Sequence, residues 1–390
     1  MKDFLNEHIR FIMRTELAIG DEISLDLPER LNVFGWSKIG LVVDGGLYNR
    51  NEYVKSVIEV MNAKMEKVIF FVSEVSEPTY DYLDTVKGEF ESHDLDCFVG
   101  IGGGSILDLS KGLATLKTNK GPAVKYRGFG KLKEIPLPVV ALPTTAGTGS
   151  EVTPYAVFID TKERWKFGIN SEYNYPRLSL YDPRFLDSCP AMVYASAGMD
   201  AMTHTLESFV AKGASAYSRL FSMEAFKLLF ANLKRVSEKD TSKETKLNLL
   251  VGSGLAGVAL MNAGAGPAGA LSYPLGVYFD VPHGLAGSVF LPGVVKYNVE
   301  NGYTDYAILY DIISTEQSLS SSEKSIRFAE EIQRLSVALG IPIDLKGFGV
   351  KTEEDARLII DNSMQLKAAF DQNPVPFGKE EIARLIYSLR

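Results

Sequence analysis

Cysteine and histidine are scarce in this chain: its 390 residues include two cysteines and four histidines. Cys97 and Cys189 lie far apart in the sequence, and Cys97 stands in an apolar run, so two buried free thiols are a better interpretation than a disulfide. No cluster of Lys and Arg is visible, and the formal net charge is −8, which argues against a nucleic-acid partner. These shortages predict a reducing compartment and no polyanion-binding surface.

Long apolar runs are also missing at the start, MKDFLNEHIRF, where two acids stand among the first seven residues, so we expect no secretory signal and a cytoplasmic protein. From Leu247 to Phe279 no residue is charged, a length that could cross a bilayer. That stretch nevertheless holds seven glycines and two prolines and few large aliphatic residues. We therefore predict a buried helix and loop there, and no membrane partner.

The first part of the chain alternates short β-rich apolar runs with amphipathic segments. The runs are KIGLVVD at 38–44, KVIFFVSEV at 67–75, DCFVGIGGG at 96–104 and PLPVVALPTT at 136–145, and helices are predicted between them at 52–64 and 79–93. This alternation predicts a parallel α/β sheet that binds a nucleotide at its carboxyl edge.

After about Asp182 the pattern becomes helical. Helical periodicity covers the segments 194–211, 217–236, 322–339 and 352–361. The chain is longer than one hydrophobic core usually grows, and the prolines of YDPRFLDSCP suit a linker. We predict an α/β dinucleotide-binding domain over residues 1–184 and an all-α domain over residues 185–390.

A glycine-rich turn joins the third predicted strand to a helix. Gly102, Gly103, Gly104 and Ser105 follow the strand and precede ILDLSKG, which has helical spacing. Glycines at such a turn let backbone N–H groups approach a pyrophosphate at the positive end of the helix. A tight strand-to-helix turn needs glycine for steric reasons as well, so both interpretations stay open.

Two further polar features follow predicted strands. Asp44 ends the first strand, where a carboxylate commonly binds the adenosine ribose and repels a 2′-phosphate, which favours NAD over NADP. A helix N-cap is the structural alternative for Asp44. Thr144, Thr145, Thr148 and Ser150 form a hydroxyl cluster that suits the phosphate or nicotinamide part of the cofactor, or a local turn.

Three side chains have the spacing of a metal site. Asp200 and His204 are four residues apart on a predicted helix, so both lie on one face, and His283 in DVPHG could complete a set of one carboxylate and two imidazoles. An Asp–His pair at this spacing is also common as a structural contact. His8 and His93 lie in polar segments and receive no role.

Six motifs resemble those of the iron-containing (group III) alcohol dehydrogenases, whose fold is that of dehydroquinate synthase, and the resemblance covers nearly the whole chain. They are GGGSILDLSKG at 102–112, LPTTAGTGSEVTPYAVF at 142–158, KFGINS at 166–171, DPRF at 182–185, AGMDAMTHTLESF at 197–209 and YPLGVYFDVPHGLAGSVFLP at 273–292. The resemblance implies an α/β dinucleotide-binding domain followed by a helical metal-binding domain.

The resemblance also implies roles for individual residues. The cofactor would contact Asp44 at the adenosine ribose, Gly102, Gly103, Gly104 and Ser105 at the pyrophosphate, Asp108 at the end of the glycine loop, Thr144, Thr145 and Thr148 at the phosphates and nicotinamide, and Lys166 at the nicotinamide ribose. Asp200, His204 and His283 would hold Fe or Zn. Members of the family are commonly homo-oligomers of two or more subunits.

Two positions depart from the family pattern. The family usually has a fourth metal-ligand histidine fourteen residues before the position of His283, and this chain has Gly269 there. A second family histidine, often assigned to proton transfer, is replaced by Tyr273. We expect a three-ligand metal site of reduced affinity or no metal at all, and Tyr273 is either a proton acceptor or a packed aromatic.

Three classes of function remain open at this point. The first is an NAD-dependent dehydrogenase or aldehyde reductase, in which the metal would polarise the substrate oxygen, with catalytic roles for Tyr273 and His283. The second is an enzyme that uses tightly held NAD without net oxidation of a sugar-derived substrate. The third is a nucleotide-binding protein with degenerate chemistry. Steady-state formation of NADH distinguishes them.

Overall fold

The computed structural model describes residues 9–390, which divide into two compact units. The sheet unit comprises Met13–Pro190 together with Ser242–Leu250. The helical unit comprises Ala191–Thr241 and Val251–Arg390 together with the segment that ends at Ile12. One short piece in the second half of the chain therefore belongs to the unit formed by the first half.

The sheet unit is built on six parallel strands in the order β1-β9-β6-β4-β2-β3, with a smaller sheet of order β5-β8-β7. The strands are β1 (Glu16–Ile19), β2 (Lys38–Asp44), β3 (Lys67–Ser73), β4 (Cys97–Gly102), β5 (Gly128–Phe129), β6 (Val139–Pro143), β7 (Val157–Asp160), β8 (Trp165–Asn170) and β9 (Leu178–Tyr181). The chain runs from β2 to β3 on one side and then to β4 on the other. The strand order therefore reverses between β2 and β4, where open α/β sheets bind ligands.

Five helices accompany these strands: α1 (Leu27–Val33), α2 (Gly45–Arg50), α3 (Glu52–Lys64), α4 (Tyr80–Glu91) and α5 (Gly104–Thr118). One buried cluster of this unit packs α4 and α5 against the sheet and includes Leu83, Phe90, Phe98 and Leu113. Burial of these large apolar side chains is the main favourable term that holds α5 against the sheet.

The described part of the helical unit contains ten α-helices and no strand. They are α6 (Ala191–Val210), α7 (Ala216–Ser237), α8 (Lys243–Ala263, which begins in the sheet unit), α9 (Pro267–Phe279), α10 (His283–Glu300), α11 (Tyr306–Ile313), α12 (Ser321–Ala338), α13 (Glu353–Ser363), α14 (Lys367–Asp371) and α15 (Lys379–Leu389). Local sequence sets several of the starts, because Ser320 and Glu323 form a capping box at α12, and Thr352 and Asp355 form another at α13.

The predicted fold class is confirmed, with a parallel α/β sheet followed by a helical part. The four predicted strands correspond to β2, β3, β4 and β6, and the predicted helices correspond to α3, α4, α6, α7, α12 and α13. Four short strands were not predicted from the sequence: β1, β9 and the two strands of the β7–β8 hairpin, each of four to six residues. Such short strands carry too few residues for a periodic signal.

The uncharged stretch from Leu247 to Phe279 lies mainly in α8 and α9. In the described part of the chain, α8 is the one helix long and apolar enough to cross a bilayer, and 61% of its most apolar window is buried inside the protein. Core helices of ordinary proteins meet the same criterion. The arrangement agrees with the predicted buried helix and loop.

Candidate active site

The glycine loop lies where β4 ends and α5 begins, and its glycines make room for two threonines. A Cβ on Gly103 would lie 3.1 Å from Thr145 Oγ1, and one on Gly104 would lie 2.6 Å from Thr148 Cγ2. The steric interpretation of these glycines therefore applies. It also brings Thr145 and Thr148 directly against the loop, which unites two of the predicted cofactor-binding segments.

The amino end of α5 has no side-chain cap. Gly103 occupies the N-cap position without a side-chain hydrogen bond, and Gly102 is joined to the next strand end by a bond from the Thr144 amide to its carbonyl oxygen, at 3.1 Å. A helix start without a side-chain acceptor presents backbone N–H groups and a positive partial charge. Those groups suit a phosphate.

Asp44 is the N-cap of α2, because its Oδ1 accepts a hydrogen bond of 2.7 Å from the Leu47 amide. The structural alternative for Asp44 is thus realised, and the ribose role stays a prediction. A second carboxylate, Glu74, follows the end of β3 and packs so closely that a Cβ on Gly45 would collide with it. Glu74 was not predicted as a site residue, because it falls inside the predicted strand run 67–75, whereas β3 ends at Ser73.

Asp108 ties the glycine-loop helix to the neighbouring segment. Its Oδ1 accepts a hydrogen bond from Ser150 Oγ at 2.5 Å, and its Oδ2 accepts one from the Val157 amide at 2.9 Å. The fully buried Lys111 lies 3.7 Å from Asp108 and donates to the carbonyl oxygens of Ser150, Thr153 and Tyr155. Burial raises the pKa of the Asp108 carboxyl. The predicted contact of Asp108 with the cofactor stays a prediction.

Lys166 lies in β8 and forms an ion pair of 2.6 Å with Glu77. Both residues belong to the sheet unit, and Lys166 is largely buried. Its predicted approach to the nicotinamide ribose stays a prediction. Glu77, which the sequence analysis did not single out, holds the ammonium group through this ion pair.

The three predicted metal ligands come together in the helical unit. Asp200 and His204 lie one turn apart on α6, and His283 is the first residue of α10. One potential ligand atom from each lies within 4.8 Å of the others, and the distance from His204 Nε2 to Asp200 Oδ1 is 3.7 Å. His93 follows the end of α4 in the sheet unit and is not part of this group, and His8 lies outside the described residues.

Two buried atoms of this group lack hydrogen-bond partners within the described structure, Asp200 Oδ2 and His204 Nδ1. A buried carboxylate oxygen without a partner is costly, and an explanation is needed for each such atom. A carboxylate with two imidazoles is also a donor set that zinc and iron accept. The residues present therefore fit a divalent metal ion.

Gly269 is the third residue of α9, and the carboxylate of Glu207 lies beside it. The buried Glu207 carboxylate accepts hydrogen bonds from the amides of Gly266 at 2.8 Å, Ala268 at 2.6 Å and Gly269 at 3.2 Å. It therefore caps α9, which has no other side-chain cap. A Cβ on Gly269 would lie 3.0 Å from Glu207 Oε2. Glu207 was not predicted as a site residue. It lies on the buried face of α6, and helical periodicity does not distinguish a capping carboxylate from the other buried residues of that face.

His283 contacts two residues of α9. Its Nδ1 lies 3.0 Å from Ser272 Oγ, and Ser272 Oγ lies 2.6 Å from the carbonyl oxygen of Gly269. The ring of Tyr273 meets the His283 ring edge-on, with centroids 5.6 Å apart and an interplanar angle of 87°. Tyr273 therefore lies beside the metal-binding group and is only partly buried.

Comparison with known proteins identifies both halves of the chain. Residues 15–183 match the family described as iron-containing alcohol dehydrogenase, and residues 194–389 match the Fe-containing alcohol dehydrogenase family, C-terminal. The resemblance inferred from the six motifs is thereby confirmed.

The chain is 32% identical to 1,3-propanediol dehydrogenase of Klebsiella pneumoniae over 391 residues, which covers 99% of this chain and 98% of that one. It is 28% identical to an NAD-dependent methanol dehydrogenase of Bacillus methanolicus over 377 residues, with 96% and 98% covered. A crystal structure of 1,3-propanediol oxidoreductase matches with a TM-score of 0.92 at 29% identity and covers 98% of this chain and 100% of its own. The chain belongs to the iron-containing alcohol dehydrogenase family.

Proposed function

We propose that this protein is an NAD-dependent oxidoreductase that interconverts a small alcohol and its aldehyde. The observation that carries the proposal is the convergence of Asp200, His204 and His283 in the helical unit. Two buried atoms of this group, Asp200 Oδ2 and His204 Nδ1, have no hydrogen-bond partner in the described structure. Its family membership supports the same chemistry, since relatives are named as dehydrogenases of propanediol and methanol and as lactaldehyde reductase.

We propose NAD as the cofactor. The uncapped start of α5 and the threonines against it suit the phosphates of a dinucleotide. Asp44 and Glu74 put two carboxylates after neighbouring strands, and negative charge there disfavours the additional 2′-phosphate of NADP. The Bacillus methanolicus relative is named for its dependence on NAD.

Asp200, His204 and His283 would hold a divalent metal, with Fe or Zn as the candidates. Such an ion supplies Lewis acidity toward a substrate oxygen. The side chains contribute the site itself: Asp200 brings a negative charge, and the two imidazoles bring neutral nitrogen ligands. With Gly269 at the fourth position, this chain offers no fourth side chain there, so we expect weaker binding than four ligands give.

Tyr273 is the proposed proton acceptor for the substrate hydroxyl. Its ring lies against His283, and it is partly exposed, so a substrate or a water molecule can reach it. Hydride removal from an alcohol requires loss of the hydroxyl proton, and a positioned phenol can accept it directly or through water. Replacing Tyr273 by Phe retains the ring packing and removes the hydroxyl group, so kcat should fall at least tenfold. An unchanged kcat would exclude Tyr273 from the chemistry.

We also propose a cytoplasmic homo-oligomer of two or more subunits. The support for the compartment is the pair of free cysteines, Cys97 and Cys189, which suits reducing conditions. The support for the assembly is the family resemblance. Size-exclusion chromatography with light scattering tests the assembly.

The deciding experiment incubates the protein with NAD, zinc or ferrous ion and a panel of short alcohols and diols, and follows NADH. Continuous NADH formation that is lost in Asp200→Asn supports the dehydrogenase. Binding of NAD without turnover of any alcohol or aldehyde would contradict it and favour a non-redox or degenerate member of the fold.

A further inference from the structure

Ser272 joins the metal-binding group to the position of the absent ligand. It lies on α9, is 1% exposed, and its Oγ has two neighbours within hydrogen-bond distance. One is the carbonyl oxygen of Gly269 at 2.6 Å, and the other is His283 Nδ1 at 3.0 Å.

The protons available decide the direction of these two bonds. A serine hydroxyl carries one proton, and a carbonyl oxygen can only accept. Two oxygen atoms 2.6 Å apart with no proton between them would repel each other, so the Ser272 proton goes to Gly269. The Ser272 oxygen must then accept a proton from His283, which means that Nδ1 carries the hydrogen.

We propose that Ser272 is a positioning residue that holds His283 in the Nδ1–H tautomer and so places the ring's lone pair on Nε2, the nitrogen that would then bind a metal ion. The hydrogen bond to the second ring nitrogen sets the tautomer and orientation of a ligand histidine. The functional part of this inference rests on the proposed metal site. The tautomer itself is a property of the chain without metal.

The role matters more here than in a four-ligand site, because Gly269 supplies no side chain. One of only three ligands is oriented through Ser272, and the same hydroxyl is fixed by the backbone of Gly269. Mutation of such outer partners commonly lowers metal affinity 10- to 100-fold. We expect a loss in that range for Ser272→Ala.

The first test reads the tautomer directly. The protein is labelled with ¹⁵N-histidine, freed of metal with a chelator and studied by NMR about two pH units above the ordinary histidine pKa of ~6.5. Because the chain has four histidines, comparison with His283→Gln assigns the signal. A protonated Nδ1 and an unprotonated Nε2 are expected, with a shift toward the Nε2–H form in Ser272→Ala. An Nε2–H form in the unsubstituted protein would overturn the proposal.

The second test measures zinc affinity by competition with a coloured chelator. Ser272→Ala should bind 10- to 100-fold more weakly, and Ser272→Thr, which keeps the hydroxyl, should restore most of the affinity. Gly287, which has no side chain, is one of the neighbours of Ser272: a Cβ added at Gly287 would lie 3.8 Å from Ser272 Cβ.

Ser363→Ala is the matched control, because Ser363 is also fully buried and donates to the carbonyl three residues earlier, in Ile360, at 2.9 Å. Its zinc affinity should stay unchanged. Equal affinities for Ser272→Ala and the unsubstituted protein, or equal losses for Ser272→Ala and Ser363→Ala, would contradict a positioning role. The tautomer of His283 and the zinc affinity can both be measured even if the protein turns over no alcohol. The proposed function and this inference are therefore tested separately.

Discussion

Gly269 is a residue whose side chain, rather than its backbone, distinguishes the proposed metal site from a four-ligand one. The backbone amide of Gly269 still takes part in the capping of α9 by Glu207, which any residue except proline could provide. What glycine removes is the side chain alone. The consequence is therefore confined to the number of ligands, which is a matter of affinity.

We predict that Gly269→His raises zinc affinity at least tenfold over Gly269→Ala. The new imidazole adds a ligand, whereas alanine reproduces only the steric change, in which a Cβ lies 3.0 Å from Glu207 Oε2. Chelator competition measures both variants. Equal zinc affinities for the two variants would indicate that position 269 does not face the metal. The absence of a histidine there would then not explain weak metal binding.

The two thiols provide a second prediction at the residue scale. Cys97 is buried and Cys189 is partly buried, and this burial raises the pKa of Cys189 to about 12 and that of Cys97 further, from an ordinary value of 9.0. A raised thiol pKa lowers the thiolate fraction near pH 8, about a thousandfold for Cys189. Ellman's reagent should therefore react slowly with the folded protein and quickly with both thiols after unfolding in guanidinium. Rapid reaction of Cys97 in the folded protein would contradict its burial.

At the scale of the elements, α9 depends on a carboxylate from another helix. Three amide groups at its start donate to Glu207 on α6, and no other side chain caps it. The same helix carries Gly269, Ser272 and Tyr273. Glu207 therefore ties the start of this segment to α6.

We predict that Glu207→Gln destabilises the protein by about 2–4 kcal/mol, since the new NH2 group would face one backbone N–H and the remaining amide bonds would lose their charged acceptor in a buried site. For units of this size such a loss corresponds to a fall of roughly 5–10 °C in Tm. The control is Glu224→Gln, an exposed helix residue paired with Lys227 at 3.4 Å, which should change stability by at most about 0.5 kcal/mol. A similar Tm for both variants would show that the cap contributes little.

At the scale of the whole molecule, metal binding should raise stability by linkage. An ion that binds the folded state alone stabilises it by about 2.7 kcal/mol at a concentration of 100 Kd. We therefore expect zinc to raise Tm by several degrees and a chelator to reverse the rise.

The comparison uses two histidine variants. His204→Gln should abolish the zinc effect, because it removes one of the three proposed ligands, whereas His93→Gln should keep it, since His93 belongs to the sheet unit and is not one of those ligands. The same rise in all three proteins would mean that zinc binds elsewhere.

The strands β2, β3, β4 and β6 could be predicted from the sequence because each is an apolar, β-rich run that ends in Gly, Pro or a polar residue. The spacing of Asp200 and His204 likewise determined that they share a face of α6, since a helix repeats every 3.6 residues. No comparable local signal assigns Ser242–Leu250 to the sheet unit. That assignment depends on contacts between residues distant in sequence.

The sequence by itself determined the fold class, the glycine loop and the three candidate metal ligands, because periodicity and motif spacing are local properties of the chain. Only the tertiary structure decided that Glu74 packs against Gly45, that Glu207 caps α9 and that Ser272 bridges Gly269 and His283. Each of these contacts joins residues on different elements or depends on the direction of one side chain. Packing of the folded chain fixes those directions, and no periodicity in the sequence encodes them.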